Sequence, residues 1–232
     1  MKLTKTLLAS SILAASTLAT TASVQAADAA PVTANFAASS NYIWRGKTQT
    51  ADESAISGGV DYAHGSGAYV GTWVSSLNGG NQYEHDIYAG YSMDVGSVGM
   101  DFGTILYRYP VGNAQSDFQE IYAHFAISDF EFGADYTIDK EGASSNENDL
   151  YLWGSWTTEL KKDLSLSLTV GSYDVDGSST ADYTHLQAAL SKGDFTFALD
   201  KNDHSDADAG AAQGTGTDDL RISISWGQSF DL

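Results

Sequence analysis

Apolar and polar side chains alternate along most of the chain after residue 30. Segment 163–173 is the clearest case, because Leu164, Leu166, Leu168 and Val170 occupy every second position and serine, threonine and glycine lie between them. Successive side chains of an extended strand point to opposite faces, so these four apolar residues share one face. A second sheet would cover that face in a soluble sandwich, whereas lipid would cover it in a membrane barrel.

The same period-two test, with clusters of Gly, Asn, Asp and Ser taken as breaks, predicts about twelve strands of roughly ten residues each. The predicted strands are 33–44, 55–64, 67–76, 84–94, 97–109, 118–127, 130–138, 149–158, 164–173, 182–191, 194–201 and 219–230. Beyond the N-terminal segment we find no convincing helical periodicity. The pattern therefore favours an all-β domain.

The connections between the predicted strands alternate in length. Those after the even-numbered strands are short, and those after the odd-numbered strands are longer and polar. Outer-membrane barrels have this arrangement, with tight periplasmic turns and extended outer loops. A tilted strand of about 9 to 11 residues crosses the hydrocarbon layer, and an open sheet edge would leave amides unpaired in lipid. We therefore predict a closed antiparallel transmembrane β-barrel of about twelve strands, with the first strand paired to the last.

Aromatic residues near the predicted strand ends fit the interfacial girdles of a membrane barrel. The alternative is that they fill a soluble core. The residues assigned to the girdles are Tyr42, Trp44, Tyr69, Trp73, Tyr107, Tyr109, Trp153, Trp156 and Trp226.

The first residues resemble a secretory signal. Lys2 and Lys5 precede an alanine-rich apolar stretch over 7–22, and residues 24–26 form a small-x-Ala cleavage site. Serines and threonines interrupt the stretch, which argues against the alternative of a membrane anchor. We predict a signal peptide over 1–26 and a barrel over 27–232, exported to the bacterial outer membrane, where it would contact lipid and lipopolysaccharide.

The chain is strongly acidic, with 30 Asp and Glu, 11 Lys and Arg and a formal net charge of -19. Removal of Lys2 and Lys5 with the signal would change this to -21 (-19 minus 2). A nucleic acid partner needs a basic surface, so this class is excluded. The run 203–210 resembles a calcium-binding loop without its full acid pattern, and a solvated acidic loop is the favoured interpretation. The absence of cysteine excludes a disulfide framework.

Residues 40–46 read SNYIWRG and are followed by TQT at 48–50, and the segments 58–62, 71–73 and 84–91 continue the same motif set. In these segments the chain is similar to the TorF-type porin family of Gram-negative bacteria. The resemblance implies an outer-membrane, porin-like barrel and carries no catalytic residues or defined substrate.

If the polar face lines a lumen, ten charged or histidine side chains are candidate pore-lining residues. They are Arg45, Asp61, Glu84, Asp86, Asp101, Glu120, His124, Asp135, His185 and Arg221. A barrel of about twelve strands predicts a porin-like channel for passive diffusion of small hydrophilic solutes or ions. Acid outnumbers base among the candidates, which predicts cation preference. Arg45 is placed just below the first outer loop, where a constriction charge would lie.

Two alternatives remain. Arg45 and Arg221 could pair with the acids and plug the lumen, which would leave a structural or adhesive outer-membrane barrel. A secreted soluble β-sandwich that acts as a binding module would also show alternating strands. The five histidines form no HExxH or other metal spacing, and there is no Gly-x-Ser-x-Gly, so we predict no enzyme activity, no cofactor and no metal site.

Overall fold

The computed structural model describes residues 31–78, 82–111, 117–142, 148–177, 181–204 and 218–232. The predicted signal peptide, 1–26, lies outside the described residues and stays a prediction. Residues 205–210 of the acidic run also lie outside them. In the part of the chain that is described, no helix is long and apolar enough to cross a membrane.

Twelve antiparallel strands form a closed barrel, which confirms the predicted fold class. Two further strands of two residues each, β2 (Ile43–Trp44) and β3 (Lys47–Thr48), form a small separate hairpin. The barrel strands are β1 (Val32–Ser39), β4 (Ala55–Ala63), β5 (Ala68–Ser76), β6 (Tyr83–Val95), β7 (Val98–Arg108), β8 (Phe118–Ile127), β9 (Phe130–Lys140), β10 (Leu150–Lys161), β11 (Leu164–Asp174), β12 (Tyr183–Lys192), β13 (Phe195–Asn202) and β14 (Arg221–Asp231).

The first and last strands close the barrel. β1 pairs with β14 from Thr33 opposite Asp231 to Ser39 opposite Ser225, and its other edge pairs with β4. Every barrel strand therefore has two hydrogen-bonded neighbours, and the sheet has no free edge. Closure satisfies the backbone groups internally, which is the condition for a sheet to lie in lipid.

Short and long connections lie at opposite ends of the barrel, as the sequence predicts. Two-residue turns join β6 to β7, β8 to β9, β10 to β11 and β12 to β13. Several of these turns hold a residue with positive φ, including Gly96, Ser128, Asp163 and Gly193, which is typical of tight hairpins. We refer to this end as the short-turn end and to the opposite one as the long-loop end.

The outer surface of the barrel is apolar. Leu168 and Val170 of β11 are exposed, and Ile222 and Ile224 of β14 show the same pattern, while the serines and threonines between them point inward. A water-soluble monomer rarely exposes an apolar surface that encircles the molecule. The alternation therefore records an apolar outer face and a polar lumen, and no second sheet covers the leucines of segment 163–173 among the described strands.

One predicted strand is wrong. The first strand was expected over 33–44, but β1 ends at Ser39 and the chain then turns into the lumen as loop 1, residues 40–54. Asn41 anchors the turn, because its side-chain oxygen accepts hydrogen bonds from the hydroxyls of Thr48 (2.7 Å) and Thr50 (3.0 Å). Ile43 is completely buried inside the barrel. Tyr42 was predicted to point outward and is instead buried in the lumen.

The predicted aromatic girdles are also largely wrong. Trp156 and Trp226 lie on the outer face, where Trp226 contacts Phe36 edge to face. All seven others face the lumen, and in four of them a tyrosine hydroxyl or an indole N–H donates to a carboxylate there. Those inside the barrel are Tyr42, Trp44, Tyr69, Trp73, Tyr107, Tyr109 and Trp153.

Candidate functional site

The lumen at the long-loop end is filled by loop 1. The hairpin of β2 and β3 places the turn Arg45-Gly46 at its tip, with φ of 48° and 79°. These are the left-handed conformations of a type I′ turn, in which glycine is favoured at the second position. No residue with a side chain fits at position 46 without a shift of its surroundings, because a Cβ atom there would lie 2.5 Å from the Cβ of His185.

Arg45 makes the central contact of the loop. Its guanidinium donates two hydrogen bonds to Glu120, of 2.8 and 2.7 Å, and lies 3.7 Å from a carboxylate oxygen of Asp135. The guanidinium carbon is also 4.3 Å from the ring centroids of both Trp44 and Tyr151. A bidentate ion pair combined with stacking on two rings uses every recognition feature of a guanidinium.

Further contacts fix loop 1 to strands around the barrel. The Tyr42 hydroxyl donates to Glu84 at 2.7 Å, and the Asn202 amide donates to the Gly46 carbonyl at 2.7 Å. Asp52 near the end of the loop accepts a hydrogen bond of 2.8 Å from the Arg221 guanidinium. These partners come from β6, β13 and β14, so the loop crosses the lumen from wall to wall.

Lys47 adds a second positive charge in the loop. Its ammonium nitrogen lies 3.8 Å from the centroid of the Tyr183 ring. Burial lowers the pKa of Lys47 to about 8, because desolvation disfavours the charged form. Lys47 lies in the loop and not in a barrel strand, so its charge depends on the position of the loop.

All ten predicted pore-lining residues point into the barrel, with Arg45 in loop 1 and the other nine on the wall. Nine of them are buried, and Asp61 is half-buried. The structure brings four of them together, since the His124 ring nitrogen lies 3.1 Å from Asp135, which completes a group with Glu120 and Arg45. The wall that they form is acidic, as the buried charged residues among those described show. The buried carboxyl groups are Glu84, Asp86, Asp101, Glu120, Asp135, Asp149 and Asp200, and the buried arginines are Arg221 on the wall and Arg45 in loop 1.

Asp86 differs from the other buried carboxylates. It lies on β6 close to Glu84 and has no exposed surface, and neither carboxylate oxygen has a hydrogen-bond partner within the described part of the chain. The lumen therefore holds more buried carboxyl groups than buried arginines that could pair with them among the described residues. No three His, Asp or Glu side chains among the described residues are arranged to hold a metal ion.

The lumen toward the short-turn end is different in character. Its wall on β10 and β11 carries half-buried hydroxyl groups. The hydroxyl oxygens of Ser155 and Ser167 are 3.2 Å apart, and the Thr157 hydroxyl donates a hydrogen bond of 3.0 Å to Ser167. On the wall formed by β5 to β8, tyrosine hydroxyls donate hydrogen bonds to carboxylates. One example is the Tyr69 hydroxyl, which donates to Asp101 at 2.7 Å. This half of the lumen is hydrophilic and is not occupied by loop 1.

Several residues of this site are absent from the predicted set. Trp44, Lys47 and Asp52 were missed because loop 1 was interpreted as a strand end and an outer loop. Tyr151 was missed because its period-two pattern is blurred by neighbouring aromatics on both faces of β10. The Arg-Gly pair between Ile43-Trp44 and Lys47-Thr48 is the signal that could have indicated a hairpin.

Solved structures share the barrel fold. The KdgM porin covers 86% of this chain and 99% of its own length at a TM-score of 0.55 and 8% identity, and its complex with disordered oligogalacturonate gives a TM-score of 0.54. The NanC porin matches at a TM-score of 0.50 and 14% identity, covering 87% of this chain and 100% of its own. At these identities the likeness shows a shared fold.

Comparison with curated protein sequences finds no match. A protein-family model does match, over residues 23–225, which includes every barrel strand except the end of β14. Its description is a bacterial protein of unknown function, and it does not carry the TorF name suggested by residues 40–50. The chain belongs to this family, Gcw_chp.

Proposed function

We propose that this protein is an outer-membrane channel of the porin type, which passes small hydrophilic solutes or ions by diffusion and prefers cations. The observation that carries the proposal is the closed barrel with an apolar outer face and an acidic lumen. Lipid can cover the outer face, and export by a signal peptide over 1–26 would deliver the chain to that membrane. The TorF-type resemblance of residues 40–50 supports the same function.

The lumen charge supports cation preference. A carboxylate excess in a narrow, low-dielectric passage attracts positive ions and repels negative ones. One KdgM structure is a complex with oligogalacturonate, which is a polyanion. The acidic wall of the present barrel disfavours such a solute, so a shared fold is compatible with a different solute class.

Planar lipid bilayers with a KCl gradient test the proposal directly. We expect discrete current steps and a reversal potential whose sign indicates that K⁺ permeates more readily than Cl⁻. Asp61→Asn removes a lumen charge and should shift the reversal potential toward zero. Asp163→Asn is the matched control, because Asp163 lies in an exposed turn and asparagine accepts its φ of 61°. Anion-side reversal, or equal shifts in both variants, would refute cation preference.

A second candidate function is a plugged structural barrel, and loop 1 favours it. The loop is held by a buried ion pair at Arg45 and by a second pair between Arg221 and the partly exposed Asp52, which together span the lumen. Such a protein would show heat-dependent gel mobility like any barrel but no current steps. Replacing residues 41–53 with a short glycine-serine linker separates the two cases. A channel that the loop narrows should then conduct several times more, whereas a barrel without a pore stays silent.

A further inference from the structure

We propose that loop 1 is a tethered ligand, and that the wall site occupied by Arg45 binds small organic solutes bearing guanidinium or ammonium groups in competition with it. The inference rests on the proposed channel function and names its solute class. Binding of such a solute would release the loop, so that the permeant cation itself opens the passage.

The wall supplies most of the Arg45 site. Glu120, Asp135, Tyr151 and Tyr173 come from β8, β9, β10 and β11, which are four consecutive strands, and the Tyr173 ring centroid lies 5.3 Å from the guanidinium carbon. Only Trp44 belongs to the loop. If the loop leaves, two carboxylates and two rings remain on the wall in an arrangement suited to a planar cation.

Two of these wall groups, Asp135 and Tyr151, are held in place by contacts that do not involve Arg45. Asp135 accepts hydrogen bonds from the Trp153 indole at 3.1 Å and pairs with His124. The Tyr151 hydroxyl lies 2.7 Å from a ring nitrogen of His185. A binding group fixed by a second layer of contacts loses little freedom when a ligand arrives. The carboxylate of Asp135 and the ring of Tyr151 are therefore preorganised for a cation and are not positioned by the loop.

The backbone at the hairpin tip indicates that Arg45 is present for its side chain. Its φ of 48° is a conformation that favours glycine, asparagine or aspartate, and arginine gains nothing from it. Strain of this kind persists where surrounding contacts compensate for it. The compensation here is the pairing of the guanidinium with Glu120.

The neighbouring wall extends the preference to a second positive group. Lys47, two residues after Arg45, places its ammonium on the Tyr183 ring. On the other side of the site lie two further buried carboxyl groups, Glu84 and Asp86, and Asp86 has no hydrogen-bond partner among the described residues. Neutral or anionic solutes would gain nothing from this arrangement.

The test is chemical rescue of Arg45→Ala by ethylguanidinium, which supplies the atoms that the substitution removes. Isothermal titration calorimetry of the refolded full chain in detergent should show saturable binding, tighter than to the wild type by about tenfold or more. Ethylurea, the neutral planar analogue, should not bind. Adding Glu120→Gln to the variant should abolish binding. Arg108→Ala is the matched control, because its exposed guanidinium pairs with Asp117 outside the lumen.

A second measurement uses the wild-type loop in case Arg45→Ala does not assemble. The chain has no cysteine, so Ile43→Cys gives a single thiol at a fully buried loop position. Ethylguanidinium should speed labelling of this thiol by a maleimide several-fold, and ethylurea should not. A cysteine at Gly65, in an exposed turn, should label at the same rate throughout.

Two results would overturn the inference, namely ethylguanidinium binding that is equal in wild type and Arg45→Ala, or binding that survives Glu120→Gln. Unchanged labelling at residue 43 would refute the competition. Failure of the channel proposal gives a different result, since binding and labelling would then occur as expected while no variant conducts in a bilayer.

Discussion

Leu168 tests which medium covers the outer face of the barrel. It lies near the middle of β11 with 43% of its surface exposed, and it pairs with Trp156 and Ala188 of the neighbouring strands. Arginine at the midplane of the lipid face of a barrel costs about 2–4 kcal/mol. We therefore expect Leu168→Arg to lower the free energy of unfolding in phospholipid vesicles by about 2–4 kcal/mol.

The depth of the residue in the membrane sets this magnitude. Leu164 is four residues closer to the short-turn end of the same strand. Four residues span about 13 Å, which a strand tilt of about 40° reduces to about 10 Å along the membrane normal. Leu164 therefore lies near the interface, where arginine costs about 0–1 kcal/mol. Leu164→Arg should be correspondingly mild.

Urea titration of the refolded variants in vesicles, followed by tryptophan fluorescence and by gel mobility, measures these free energies. Ser167→Arg is the matched control, because Ser167 is adjacent to Leu168 but points into the hydrophilic half of the lumen. Its loss of stability should be small. Equal losses for Leu168→Arg and Ser167→Arg, or a loss at Leu164 as large as at Leu168, would refute the assignment of lipid to the outer face.

Three further predictions concern loop 1. Gly46→Ala should lower the free energy of unfolding by about 1–2 kcal/mol because of the positive φ alone, and the contact with His185 should lower it further. Gly65→Ala is the control and should leave thermal unfolding unchanged, because no atom lies within 4 Å of its added Cβ. Arg45→Ala and Glu120→Gln each break a buried ion pair and should cost about 3–5 kcal/mol; a double variant that costs the full sum in urea titrations would show that the two groups are not coupled. Because the pKa of Lys47 is lowered to about 8, raising the pH from about 7 to about 9 neutralises one lumen cation, so the reversal potential should move toward greater cation preference in wild type and stay constant in Lys47→Met.

The barrel strands could be predicted because one face of each is apolar and the other is polar. The predicted ranges 118–127 and 164–173 match β8 and β11 to within one residue. An apolar outer face and a polar lumen require this alternation along the entire strand, and a slip of one residue would turn every apolar side chain inward. Closure followed from the cost of unpaired amides in lipid, which is a global constraint that needs no local signal.

The path of loop 1 could not be predicted, because period-two alternation also describes its aromatic residues. Tyr42 and Trp44 continue the spacing of Phe36 in β1, but they pack on rings inside the lumen. Alternation shows which side chains share a face and does not show whether lipid or protein covers it. The same ambiguity caused the error in the girdles, where Tyr69 and Tyr107 are inside.

The separation of lumen charge between wall and loop leads to a final prediction about selectivity. Of the two buried arginines among the described residues, Arg221 belongs to a barrel strand, whereas Arg45 and the nearby Lys47 belong to loop 1. A count of charges along the sequence treats all of them as fixed, yet the two loop cations act on the lumen only while the loop is inside it. Arg45→Ala removes one of them and weakens the anchor of the other, so its reversal potential in a KCl gradient should lie further to the cation side than that of the wild type. Arg108→Ala removes the same charge from the rim and should shift it far less. Equal shifts would mean that total charge, and not the position of loop 1, sets the selectivity.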